Sequence, residues 1–222
     1  MNPLLIDVPE RIETERLILR CPRPGDGAAV NAAVCESLAE LRPVMPWAQV
    51  APTLDESEAN CRRDQAEFKL RQNLVLFMFE RSPSGAEGRF IGGSGLHRID
   101  WAVPRFEIGY WRRMGFEGRG LVTEAVRAIS RMAFDQLGAR RVEIRMNADN
   151  RRSWQVAERA GYRLDGVLRQ DTLTPQGAPR DTRVYSRVRG VEERPLGDDL
   201  RRPPPAGAEE TSGGRAHPQE QA

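Results

Sequence analysis

The chain has 222 residues, with 34 Lys+Arg against 32 Asp+Glu and a formal net charge of +2. Near-balance excludes the strong basic field by which nucleic acid or an anionic membrane is bound, and no run approaches the ~18 apolar residues that span a bilayer. Three cysteines (Cys21, Cys35, Cys61) without C-x-x-C spacing, and two histidines (His97, His217), exclude a disulfide framework and a His-based metal site.

No signal-peptide pattern opens the chain, so the cytoplasm is the expected compartment. Residues 1–9 read as a loosely held arm. Arg16–Arg20 is a first strand, stopped by Pro22, Pro24 and Gly25. Asp26 is placed to cap a helix carrying Ala28, Ala29, Ala32, Ala33 and Leu38. Leu41–Pro52 is a loop with three prolines, and its Met45 and Trp47 serve either core packing or one wall of an acceptor pocket. Thr53 and Glu56 form a capping box for a second helix running to about Arg71. Its charges (Glu56, Glu58, Arg62, Arg63, Asp64, Glu67) read as a solvated face.

Two strands follow, Asn73–Arg81 and Arg89–Trp101, joined by a hairpin loop with Pro83 and Gly85. Gly92, Gly93 and Gly95 make the second bendable. Ser94 and His97 do not form a nucleophile–base pair, because the spacing is not G-x-S-x-G and no acid partner follows. Phe106–Trp111 is the fourth strand, and a glycine turn leads into a helix with Leu121, Val122, Ala125, Val126, Ile129, Met132 and Ala133 at three-to-four spacing. Gly138 is its expected stop. A fifth strand (Arg141–Met146), a short helix (151–160) and a last pair of strands (Tyr162–Leu168, Thr182–Val188) complete a domain over residues 10–190. Residues 191–222 hold seven acidic residues, four arginines and many Pro and Gly, with almost no large apolar groups. That composition predicts a disordered tail.

Strand, glycine turn and helix start form a recipe for holding a phosphate. The first helical amides lack partners and carry the positive end of the dipole. Glycines let an anion approach the backbone, and Arg112, Arg113 and Arg119 can pair with phosphate oxygens. A Walker-type loop is excluded, because Lys69 is the only lysine. A dinucleotide fingerprint would need a glycine where Thr123 stands. A coenzyme A pyrophosphate loop and an ordinary tight turn are the remaining readings of the turn taken alone.

The wider pattern decides between them. ETERLILRCPRPGD (13–26), MPWA (45–48), FIGGSGLHRID (90–100), EIGYW (107–111), GRGLVTEAV (118–126), the stretch 140–169 and RDTRVYSR (180–187) resemble, in order, the GNAT superfamily of N-acetyltransferases. Within it the chain is most similar to the RimJ/RimL-like, ribosomal-protein branch. One departure is Gly115, at the Q/R position of the Q/R-x-x-G-x-G/A loop. The resemblance implies an α/β (α+β) fold whose mixed sheet of six to seven strands splays between the fourth and fifth, flanked by about four helices. It implies acetyl-CoA as co-substrate, no metal, and transfer of acetyl to a primary amine. The acceptor would be a protein N-terminus, such as a ribosomal protein's, or a small-molecule amine. The alternative is a catalytically weak CoA-binding module. No direct nucleic-acid contact and no membrane are implied, and the chain would be a monomer or homodimer.

Site residues follow from the same match. Gly115, Gly118, Arg119, Gly120, Leu121, Val122 and Thr123 would hold the pyrophosphate, with Arg112 and Arg113 alongside. Amides near Tyr110 and Trp111, freed by a bulge at Gly109, would hold the thioester carbonyl. Glu107 is the first candidate base, Glu143 the second and Asp171 the third. The tyrosine that many superfamily members use to protonate the leaving thiolate is replaced by Ala157. Ser153, three residues after Asn150, would take that role as in the RimL-like branch, and Asn150 would bond the pantetheine arm. Helix capping is the alternative role for both.

Overall fold

The computed structural model describes residues 2–191. Eight strands form one open sheet in the order β1 (Arg11–Glu13), β2 (Leu17–Arg20), β3 (Leu74–Arg81), β4 (Glu87–Asp100), β5 (Arg105–Arg112), β6 (Arg141–Asn147), β8 (Pro179–Val188) and β7 (Arg163–Leu173). All neighbours are antiparallel except β5 and β6. That parallel step is bridged by α3 (Leu121–Asp135), while α1 (Gly27–Leu41) and α2 (Leu54–Lys69) link β2 to β3 and α4 (Arg151–Arg159) links β6 to β7.

Burial explains the layers. Along β6, Val142, Ile144 and Met146 are buried in strict alternation, the period-two pattern of a strand with one face against a helix. The same core takes in α3, whose Leu121, Ala125, Val126, Ile129, Met132 and Ala133 form a continuous apolar stripe. Phe106, Ile108, Leu74, Leu76 and Tyr185 share this larger core. A smaller one on the opposite face joins Ile18, Phe77, Phe79 and Phe90 to Ala33 of α1 and Cys61 of α2.

Four local expectations change. The sheet has eight strands because β1 pairs through its backbone with β2, Arg11 opposite Arg20. The chain between Ile6 and Val8 is tied down: Val8 is buried, and the Ile6 carbonyl accepts two bonds from the Arg71 guanidinium. Asp26 makes no capping bond to α1 and instead accepts from the buried Arg20 at 2.7 and 2.8 Å. The first α1 amide, Gly27, is served by Glu58 of α2, which also accepts from Gly25 just before the helix. Finally, α3 ends at Asp135, and Gly138 makes a left-handed turn three residues further on. The Thr53–Glu56 capping box forms as read. The expected tail at 191–222 lies, from residue 192, outside the described residues.

Candidate active site

β5 and β6 pair only through Arg105–Glu107 against Arg141–Glu143. Beyond that row each stays paired on its other side, β5 with β4 up to Arg112 and β6 with β8 up to Asn147. Between Ile108–Arg112 and Ile144–Asn147 the sheet therefore opens, and a cleft of about 650 Å³ occupies the gap. Its walls include Glu107, Ile108, Gly109, Tyr110 and Trp111 in unbroken succession. Successive strand residues point to opposite faces, so a cavity touching all five runs through the sheet from one face to the other.

On the α1/α2 face the cleft is lined by Glu107, Gly109 and His97, with Asn60 and Asp64 of α2 and the loop carrying Met45 and Trp47. The Glu107 side chain is 17% exposed. Its Oε2 is buried and makes no hydrogen bond, with the Arg98 guanidinium 3.5 Å away as an ion-pair partner. Burial raises its pKa above the usual carboxylate range, against the pull of Arg98 and Arg145, and Glu143 adds to the rise. Trp111 stands edge-on to Trp47, ring centres 5.7 Å apart. Asp64, read from sequence as part of a solvated face, is half-buried on the cleft wall. Burial pushes its carboxyl up to about 6, with Glu67 adding to the rise.

The opposite face presents Tyr110, Asn150 and Ser153. The Tyr110 hydroxyl donates to the Ser153 carbonyl at 3.0 Å and lies 2.9 Å from Ser153 Oγ. Burial pushes the phenol up to about 12. Asn150 Oδ1 accepts from the Ser153 amide at 3.2 Å, so Asn150 is the N-cap of α4. That cap fixes where Ser153 stands. The other two candidate acids lie off the cleft lining. Glu143 is beside Glu107 in register but accepts from Arg141 at 3.0 Å, and Asp171 is paired with Arg145 at 2.9 Å.

Past Trp111 the chain enters the glycine turn, which the cleft lining does not reach. Gly115, Gly118 and Gly120 all have positive φ, from 68 to 83°. A Cβ at Gly118 would meet nothing within 4 Å, so glycine is required there by conformation and not by space. Among the described residues, no backbone N–H from Gly118 to Thr123 donates a hydrogen bond. Leu121 and Thr123 are buried, while Gly118, Arg119 and Gly120 are exposed and Val122 is half-buried, so the accessible part of the run is its glycine end. The arginines behave differently from the sequence expectation. Arg112 is paired with Glu117 and Glu40, Arg113 with Glu36, and Arg119 with Glu80. Arg119 also stacks over Phe116. Each cation already has a carboxylate, which leaves the run of open amides at a helix start as the main anion-attracting feature.

The sequence offers His97 only as a partner for Ser94, three residues before it. Ser94 instead donates to the Gly109 carbonyl at 2.8 Å. The relevant neighbour of His97 is Glu107, opposite it across β4 and β5, and that register has no local signature. Among the described residues, no three His, Cys, Asp or Glu side chains gather as metal ligands would, and no helix is long and apolar enough to cross a membrane.

Residues 16–163 match the family model described as Acetyltransferase (GNAT) domain. YdaF of Bacillus subtilis (strain 168) is 37% identical over 100 residues, 45% of this chain and 54% of that protein, so the chain spans about half of that relative. The ribosomal-protein-serine acetyltransferase of Escherichia coli (strain K12) is 29% identical over 156 residues, 70% of this chain and 83% of its own length. The uncharacterized N-acetyltransferase YoaA of B. subtilis (strain 168) is 30% identical over 192 residues, 82% and 98%. Among solved structures, the microcin C7 self-immunity acetyltransferase MccE, in complex with acetyl-CoA and AMP, superposes with a TM-score of 0.74 at 23% identity, over 82% of this chain and 97% of that one. RimL, a ribosomal L7/L12 α-N-protein acetyltransferase in complex with coenzyme A, gives 0.73 at 22% identity, over 81% and 98%.

Proposed function

The chain belongs to the GNAT acetyltransferase family, and from that premise we propose that it transfers acetyl from acetyl-CoA to a primary amine by direct attack on the thioester. The acceptor is the α-amine of a protein N-terminus, such as a ribosomal protein's, or a small-molecule amine. The observation that carries this reading is the cleft through the sheet, with an unbonded carboxylate on one face and a hydroxyl pair on the other.

The amide run Gly118–Thr123 holds the pyrophosphate. Charge-assisted bonds contribute roughly 1.5–3 kcal/mol each, so three or four anchor the cofactor without help from the paired arginines. The open edge of β5 from Ile108 onward lies between that cradle and Glu107, where backbone amides meet the thioester carbonyl and steady the negative charge that builds on it. The amine enters from the α1/α2 face, beside Glu107, whose negative charge favours loss of the amine's proton. Such acid–base assistance contributes ~10²–10⁴-fold. Ser153, held by Asn150 and Tyr110, stands on the far face to hand a proton to the leaving thiolate.

The deciding experiment follows thiol release from acetyl-CoA in the presence of peptides with free N-terminal serine or alanine and of simple amines. Release that depends on acceptor supports the reading. Tight CoA binding with no release on any of them would leave a CoA-binding module of the same fold.

A further inference from the structure

His97 is half-buried on the cleft lining and is used by neither core. A Cβ placed on Gly109 would lie 3.0 Å from its Cδ2 and 3.2 Å from its Nε2, with Nδ1 beyond 4 Å. The imidazole edge bearing Nε2 therefore lies over Gly109, where a side chain would press on the ring. His97 and Glu107 are opposite one another across β4 and β5, and Gly109 is two residues further along β5, on the same face and toward the gap in the sheet. The ring thus leans past Glu107 toward the open edge of β5. Neither ring nitrogen makes a hydrogen bond among the described residues. Both residues line the cleft.

Resting on the acetyl-transfer reading above, we infer that Nε2 of His97 is the group that takes the proton from the attacking amine, and that Glu107 stabilises the imidazolium that forms. As the amine nitrogen bonds to the acyl carbon, one N–H proton passes to Nε2. The C–S bond breaks and its electron pair leaves on sulfur. The thiolate takes one proton from the Ser153 side, and His97 returns its proton to solvent through the cleft, so one proton enters and one leaves. Glu107, with Arg98 3.5 Å away, is set back from the gap and suits charge stabilisation better than first contact.

The surroundings fit a base that is neutral at the start. Burial lowers the imidazole pKa below its ordinary value, opposed by Glu67 of α2. The other charged groups of the cleft are Arg63 and Asp64 of α2, Glu107 and its partner Arg98, Arg145 of β6 and Arg180 of β8. At neutral pH the ring is free to accept.

The test is the pH profile of kcat/KM for thiol release, with the fastest acceptor among a serine-ended peptide, an alanine-ended peptide and ethanolamine. His97→Asn should lower kcat/KM on the order of 10²-fold, erase the acid limb below neutral pH and leave CoA affinity unchanged. Added imidazole should restore part of the rate. Full activity with an unchanged acid limb in His97→Asn would overturn the inference, as would a loss that imidazole does not relieve and that leaves the limb in place. If His97→Asn does not fold, His97→Gln is read the same way. Silence of the wild type on every acceptor would instead overturn the transferase reading itself, so the two failures are distinguishable.

Discussion

Tyr110 reaches across the gap in the sheet to Ser153: its hydroxyl donates to the Ser153 carbonyl at 3.0 Å and lies 2.9 Å from the Ser153 hydroxyl. A strand residue and the first turn of α4 are thereby locked together on the face where a thiolate would depart. The two hydroxyls act as a unit, so their effects should not add. Ser153→Ala is expected to lower kcat about tenfold and Tyr110→Phe by a similar factor, while the double variant loses little more than either alone. Tyr110→Phe should also cost about 0.5–1.5 kcal/mol of stability. A double-mutant cycle on kcat, with a denaturant midpoint for each variant, checks this. Fully multiplicative losses would show that the pair does not work together.

Gly120 sits at the start of α3 with φ of 73°. A side chain there is strained by about 1–2 kcal/mol, and the added methyl stands in the run of open amides. Gly120→Ala should therefore lose stability by that amount and weaken CoA binding about tenfold or more. Gly166 has no positive φ and nothing within 4 Å of a Cβ, so Gly166→Ala should stay within about 0.5 kcal/mol of the wild type. Calorimetric titration with CoA, beside a chemical melt, separates the two. Unchanged CoA affinity in Gly120→Ala would count against the amide cradle.

Glu143 and Asp171 are neighbours of the cleft that do not line it, held by Arg141 and Arg145. Their carboxylates are therefore expected to be spectators in proton transfer. Glu143→Gln and Asp171→Asn should change kcat/KM by less than about threefold, since part-exposed ion pairs of this kind are worth only about 0–1 kcal/mol. Glu107→Gln, by contrast, should lose on the order of 10²-fold. A fall in Glu143→Gln as large as that in Glu107→Gln would move the acid–base role to β6.

The elements that sequence reading recovered are those whose signal is local. The α3 stripe, the period-two pattern of β6 and the Thr53–Glu56 box each lie within one helix or strand. What it missed depends on partners far away in the chain. β1 is three residues with no buried side chain, and exists because its backbone pairs with β2. Asp26 looked like a cap until Arg20 claimed it. The loop arginines looked free, yet Arg113 meets Glu36 from α1 and Arg119 meets Glu80 from β3. Asp64 looked solvated because nothing in α2 alone reveals a cleft beside it. Residue identities singled out the glycine turn and Glu107 as candidates, but only the sheet register brings His97 opposite Glu107.

That register also carries a consequence for stability. Burial raises the Glu107 pKa in the folded protein above its ordinary value of 4.5. The folded state then binds its proton more tightly than the unfolded chain does. Between the unfolded pKa and the folded one, folding takes up a proton, so stability falls as pH rises through that window. Below the window both states are protonated and the penalty vanishes; above it the penalty is constant and fully present. Glu107→Gln removes the ionisation while keeping the shape. The variant should thus match the wild type near pH 4 and exceed it at pH 7, even as its activity falls. Denaturant melts of both proteins at pH 4, 5, 6 and 7 measure the difference. A gap that is constant across the series, or that favours the wild type at pH 7, would mean that Arg98 and Arg145 compensate the buried charge in full, and that Glu107 is an ion-paired structural residue instead of a poised one.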